Sequence, residues 1–193
     1  MRSYNPGMAL RSTVHKLELS IADIDRGVYG DHSLTLALHP SETAERMMLR
    51  VLAFILWADP DLRFGPGLSI EGEPDLMQVD PTGRLQRWIE VGLPEAKWIR
   101  KAASQADAVS VLAYGGHKAQ LWWRAQQADL ERFDHVQVVL VEPDQSQSLA
   151  ALAARAMRLQ VTVQEGQVWV SVANDPSIPA VLIEPVMLRG AQA

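Results

Sequence analysis

Residues 74–92 read Pro-Asp-Leu-Met-Gln-Val-Asp-Pro-Thr-Gly-Arg-Leu-Gln-Arg-Trp-Ile-Glu-Val-Gly. At their centre, Asp80-Pro81-Thr82-Gly83 has Asp, Pro and Gly at the first, second and fourth positions favoured by a type I turn. The flanking runs Pro74–Val79 and Leu85–Val91 have strand composition, so 74–91 is expected to form a hairpin. On the return strand Trp88, Glu90 and Gly92 share one face, and Ile89 and Val91 point the other way. A glutamate within Trp-Ile-Glu-Val sits badly in a strand unless it is paired or bound. Asp75 lies early in the first strand, and carboxylates from neighbouring strands can converge on one cation. A hard divalent ion such as Mg²⁺ takes oxygen ligands, usually one or two of them carboxylates. It lowers the pKa of a bound water and neutralises charge developing on a phosphate. Salt bridges to Arg84 or Arg87 are the plainer alternative for the same acids.

Outward from the hairpin, Ser41 is a candidate N-cap for a helix that runs to Ala58 and ends at Asp59-Pro60. On it Glu45 has Met48, Leu49, Leu52, Ala53 and Leu56 at helical spacing, so it faces the core side and needs a partner, a metal or a basic side chain. After the hairpin, Gly92-Leu93-Pro94-Glu95 opens a helix to about Gln105 that carries Lys97 and Lys101 on one face. Either amine can reach a carboxylate cluster, orient a water and offset negative charge in a phosphoryl transition state. Strands are expected at 108–114 and 136–141, and helices at 117–132 and 146–156. Hairpins are expected at the N-terminus (to Leu38) and near the C-terminus (158–172, turning at Glu165-Gly166). Residues 59–73 read as loop, and the Pro-interrupted tail from Asn174 as a surface drape. The expected fold is a mixed α/β sheet flanked by helices, with residues 1–7 as a flexible extension and 8–193 as one domain.

The 193 residues carry 18 Lys and Arg against 23 Asp and Glu, a net charge of −5 that argues against coating nucleic acid by bulk positive charge. A local basic groove remains open, with Arg84, Arg87 and Arg100 as candidate phosphate contacts. The absence of cysteine excludes disulfides and thiolate chemistry and fits a cytoplasmic location. The longest apolar run, Val51–Ala58, is far short of the ~20 residues that span a bilayer, so no membrane partner is expected. The five histidines show no metal-ligand spacing.

The run His39-Pro40-Ser41-Glu42-Thr43-x-Glu45-Arg46-Met47-Met48, the element Glu73-Pro74-Asp75-Leu76, Trp88-Ile89-Glu90-Val91-Gly92 and Ile99-Arg100-Lys101-Ala102 together resemble the bacterial YaeQ family, from Met8 to about Val172. The resemblance implies a variant of the PD-(D/E)XK nuclease fold, in which an Asp and a Glu on adjacent strands bind Mg²⁺, often with a further Glu from the preceding helix. Pro74-Asp75, Glu90-Val91 and Glu45 match those acids, so the implied metal ligands are Glu45, Asp75 and Glu90. Gly92 stands where the motif lysine belongs. Some superfamily members move that lysine to the next helix, where Lys97 and Lys101 lie. The implied activity is a Mg²⁺-dependent phosphodiesterase acting on nucleic acid. The alternatives are an inactive nuclease-fold module that binds nucleic acid or a transcription-related protein, and an enzyme of another phosphate-containing substrate. An arginine seated permanently at the cation position would count against the metal.

Overall fold

The computed structural model describes residues 12–65 and 72–190, so the expected extension at 1–7 lies outside the described residues. In chain order the elements are β1 (Thr13–Asp23), β2 (Val28–Leu38), α1 (Ala44–Leu56), β3 (Leu62–Phe64), β4 (Leu76–Val79), β5 (Leu85–Val91), α2 (Ala96–Gln105), β6 (Ala108–Tyr114), α3 (His117–Leu130), β7 (Val136–Val141), α4 (Pro143–Ala150), β8 (Ala156–Gln164), β9 (Gln167–Val172), β10 (Val181–Ile183) and β11 (Val186–Arg189). The mixed α/β class is as expected, but the strands divide into two sheets instead of one.

The first sheet has the order β10-β9-β8-β1-β2, and the second β11-β7-β6-β5-β4-β3. Both expected terminal hairpins form, and they join through a parallel β1–β8 pairing, with Leu17 beside Met157 and Ile21 beside Val161. An isolated two-stranded hairpin is marginal in water, and the merger gives each a further partner. The alternating burial of β1 and β8 leaves one face of this sheet to solvent and turns Leu17, Leu19, Ile21, Leu159 and Val161 inward.

Helix α1 fills the space between the sheets. Met47 to Ile55 are buried on every side, which explains a segment apolar all round rather than along one stripe. One continuous core holds α1, the inner face of the first sheet, and Ile89, Val91, Leu112, Val139 and Val141 of the second. Helix α4 packs on α1. The opposite face of the second sheet carries α2 and α3 over Trp88, Val109, Val111, Val136 and Val138. The parallel strands β5, β6 and β7 end at the same edge as the N-terminus of α1, and the carboxyl ends of parallel strands are where open α/β sheets place ligand sites.

Four local readings are corrected. The cap of α1 is Thr43, whose hydroxyl accepts the Arg46 N–H at 3.1 Å, while Ser41 hydrogen-bonds His39 instead. Residues 62–64, read as loop, form an edge strand on β4. The tail does not merely drape: Val181–Ile183 extends the first sheet and Val186–Arg189 the second, since Pro185 sits between the two short strands where no ladder donor is needed. Helix α4 also starts three residues early, with Pro143 in its first turn.

Gly65 ties the edge strand to the Pro74-Asp75 corner: its N–H donates to the Asp75 carbonyl at 2.8 Å, and a Cβ there would overlap the Pro74 carbonyl oxygen. Gly65→Ala is expected to displace that corner and to lower stability by about 1–3 kcal/mol. Urea unfolding should show a lower midpoint with an unchanged slope.

Candidate functional site

Asp75 is the residue before β4, and Glu90 the penultimate residue of β5, so the two acids stand at adjacent positions of one antiparallel pair. The β5 backbone fixes Asp75. Its N–H donates to the Ile89 carbonyl at 2.9 Å, and its Oδ2 accepts the Val91 N–H at 2.7 Å. Glu90 accepts a hydrogen bond from the Trp88 indole two residues earlier, at 2.7 Å. Burial pushes the Glu90 carboxyl up to about 7. The Trp88 hydrogen bond opposes that shift, the negative charge of Asp75 adds to it, and the cations Arg46 and Lys101 hold it down.

Gly92 follows directly, with φ at +129°. There is room for a side chain, since the nearest atom to a Cβ is a Tyr114 ring carbon at 4.0 Å. The backbone conformation is what a lysine would resist. The nearby amine is on α2. Lys101 donates to the Gly72 carbonyl at 2.6 Å and lies over the rings of Trp88 and Trp98, close enough to Glu90 to act on its charge. Lys97, four residues earlier, is half exposed and pairs with Glu95 at 3.1 Å, a surface contact worth little. Both amines lie over the Trp98 ring, but of the two only Lys101 acts on the charge of Glu90.

The cation on Asp75 is Arg46, from the first turn of α1. Its Nη2 donates to both Asp75 oxygens, at 2.6 and 2.9 Å, and its Nη1 donates to Glu42 at 3.0 Å. Glu42 in turn accepts two bonds from the buried Arg50, at 2.9 and 3.0 Å. Charges alternate along this row: Arg50, Glu42, Arg46, Asp75. In the sequence Glu42, Arg46 and Arg50 stand at four-residue intervals, but nothing there identifies Asp75 as the partner of Arg46.

Glu45 is not gathered with the pair. It is half-buried as its spacing predicted, but its Oε1 accepts the hydroxyl of the fully buried Ser146 on α4 at 2.6 Å. Tyr114, at the end of β6, feels the charges of both groups. Burial raises its phenol pKa, Arg46 lowers it, and Glu45, Asp75 and Glu42 raise it further. Among the described residues no three His, Asp or Glu side chains are arranged to hold a metal ion.

The three arginines considered for phosphate contact lie apart from one another. Arg84 pairs with Asp107 at 2.6 Å on the exposed far end of the hairpin, and Arg100 lies 3.7 Å from Asp129 across α2 and α3. Arg87 is largely buried beneath the C-terminal end of α1, where it donates to Ser110 at 2.9 Å. Burial there disfavours its charge, Arg26 adds repulsion and Asp59 offsets it in part. Among the described residues no helix is long and apolar enough to cross a membrane.

The family profile described as YaeQ protein matches residues 8–178. The chain is 43% identical over 168 residues to the YaeQ protein of Salmonella typhi, covering 87% of this chain and 93% of that protein. It is 42% identical over 164 residues to the YaeQ protein of Escherichia coli (strain K12), covering 85% and 91%. The crystal structure of the YaeQ protein from Xanthomonas axonopodis pv. citri superposes with a TM-score of 0.88 at 39% identity, over 93% of this chain and 99% of that one. The YaeQ protein from Pseudomonas syringae gives 0.87 at 34%, over 94% and 98%.

The Glu90 environment has a consequence for stability. In the folded chain the carboxyl holds its proton to about pH 7, against 4.5 when unfolded. Below 4.5 both states are protonated and the group contributes nothing. Between 4.5 and 7 the unfolded state loses its proton first, so stability falls as pH rises; above 7 the whole penalty remains. Glu90→Gln, which cannot ionise and still offers an oxygen to Trp88, is expected to be more stable than the wild type by about 2 kcal/mol at pH 8. The difference should vanish near pH 4, as measured by urea unfolding in EDTA.

Proposed function

Since this chain belongs to the YaeQ family, as its profile match and its relatives show, we propose that the Asp75–Glu90 corner is a PD-(D/E)XK-type centre for Mg²⁺-dependent hydrolysis of phosphodiester bonds in nucleic acid. The observation that carries the reading is the replacement at Gly92. The strand position of the motif lysine has a backbone conformation that disfavours a side chain, and the amine of Lys101 on α2 lies close enough to Glu90 to act on its charge.

The donor set fits a hard divalent ion in kind: two carboxylates from neighbouring strands, all oxygen, at the carboxyl edge of a parallel segment. Asp75 and Glu90 would hold it. When bound, Mg²⁺ supplies an acidified water and a positive charge opposite the phosphate. Asp75 is pre-oriented by the Val91 N–H, so its carboxylate needs no reorganisation to face a cation. Glu90 is buried beside a second acid, an arrangement that favours an added positive charge over two bare carboxylates. Lys101, held over Trp88 and Trp98, carries a fixed ammonium that orients a water or offsets charge on the attacked phosphate. Glu45 is bonded to Ser146 on α4 and acts on the charge of the same Tyr114 phenol as Asp75 does.

A second reading is favoured by the Arg46 contact. An arginine that engages both Asp75 oxygens suits a module that binds nucleic acid or a protein without metal or turnover.

The two readings are separated with labelled single- and double-stranded DNA and RNA in Mg²⁺ or EDTA. The nuclease reading expects cleavage in Mg²⁺ that EDTA stops. Glu90→Gln and Lys101→Met should each reduce it by about 100-fold or more, while Lys97→Met leaves it within about twofold. Wild-type cleavage by Glu90→Gln would defeat the assignment. Binding that survives EDTA with no product from any substrate would establish the second reading, and a steep salt dependence would identify nucleic acid as its partner.

A further inference from the structure

Arg46 has two anchors of unequal need. Glu42 is 8% exposed and already receives two charge-assisted bonds from Arg50, which is 2% exposed. Its charge is neutralised whether or not Arg46 is present. Asp75, 4% exposed, has Arg46 as its nearest cation and otherwise only the Val91 N–H. The four groups sum to zero: two arginines against Glu42 and Asp75. Without Arg46, Asp75 is a buried carboxylate with no counter-charge, a state that costs several kcal/mol. With a divalent ion shared by Asp75 and Glu90, Arg46 becomes a surplus positive charge on the same carboxylate.

The Arg46 side chain can meet both conditions without losing its place. Its Nη1 bond to Glu42, which lies just ahead of the Thr43 cap of α1, does not involve Asp75. The side chain is 15% exposed, so the guanidinium lies at the surface edge of the site and can turn outward on a flexible stem. Resting on the metal reading above, we propose that Arg46 is the resident counter-ion of this site: it closes Asp75 when no divalent cation is bound and yields it, remaining on Glu42, when one is. The arginine therefore sets metal affinity. It keeps the acid pair folded and shielded at low cation concentration, at the cost of a weaker site. Once turned from Asp75 it also leaves a positive charge beside the corner.

The test is Mn²⁺ binding to the full chain by titration calorimetry, with melting temperature as a second measurement. Arg46→Gln should bind Mn²⁺ at least about tenfold more tightly than the wild type. It should melt lower in EDTA and gain more from Mn²⁺ than the wild type does. Asp75→Asn should lose Mn²⁺ binding in either background. If Arg46→Gln is too unstable to handle, Arg46→Lys, a point charge that cannot grip both oxygens and Glu42 together, should still bind Mn²⁺ more tightly than arginine. Unchanged affinity in the Arg46 variants, with binding still abolished by Asp75→Asn, would overturn the counter-ion role and leave the metal site standing. If no variant binds Mn²⁺, the metal reading itself falls, and this inference with it.

Discussion

A row of alternating charges, Arg50–Glu42–Arg46–Asp75, ties the first turns of the central helix to the corner of the six-stranded sheet. Helix α1 is otherwise packed among apolar side chains on all sides, and the desolvated ion pairs at its N-terminal end add directional contacts to that packing. Such pairs add little net stability over well-packed apolar groups, but breaking one leaves a buried charge unpaired. The row therefore acts as a register device: α1 must present Arg46 to Asp75, and Asp75 is in turn held by the backbone of β5 through Val91.

The site follows from that register. The parallel strands β5 and β6 end where α1 begins, so Asp75, Glu90, Tyr114 and the Arg46 guanidinium are neighbours because the layers stack, not because they are close in sequence. Lys101 is delivered by α2, which packs on the opposite face of the same sheet through Ile99 and Ala102. Two helices from opposite faces thus meet at one sheet edge, one bringing an arginine and the other a lysine to a pair of acids. Gly92, at a positive φ that glycine adopts freely, marks the point where the chain leaves β5.

Much of this was legible in the chain. Trp88 and Glu90 do share a face, Asp80-Pro81-Thr82-Gly83 does close the central hairpin with Gly83 N–H on the Asp80 carbonyl, and the strands at 85–91, 108–114 and 136–141 lie where apolar patterning put them. The acid pair was legible because glutamate in an apolar strand is conspicuous. Arg46 was not, because an arginine in the first turn of a helix is ordinary, and what distinguishes it is a partner in another layer. Glu45 shows the same limit: its inward direction was readable from helical spacing, while its partner, Ser146, lies on α4.

Periodicity reports which face of an element is buried, and that alone established a mixed α/β chain, its main strands, the buried helix and the two strand acids. It does not report what the buried face meets. The tertiary structure alone decided that the terminal hairpins merge into one five-stranded sheet through β1 and β8, that Val186–Arg189 forms the edge of the other sheet beside β7, and that Lys101 rather than Lys97 acts on the charge of Glu90. The reason is physical: alternation and helical spacing are properties of neighbouring residues, whereas strand pairing and charge pairing between layers depend on groups far apart along the chain.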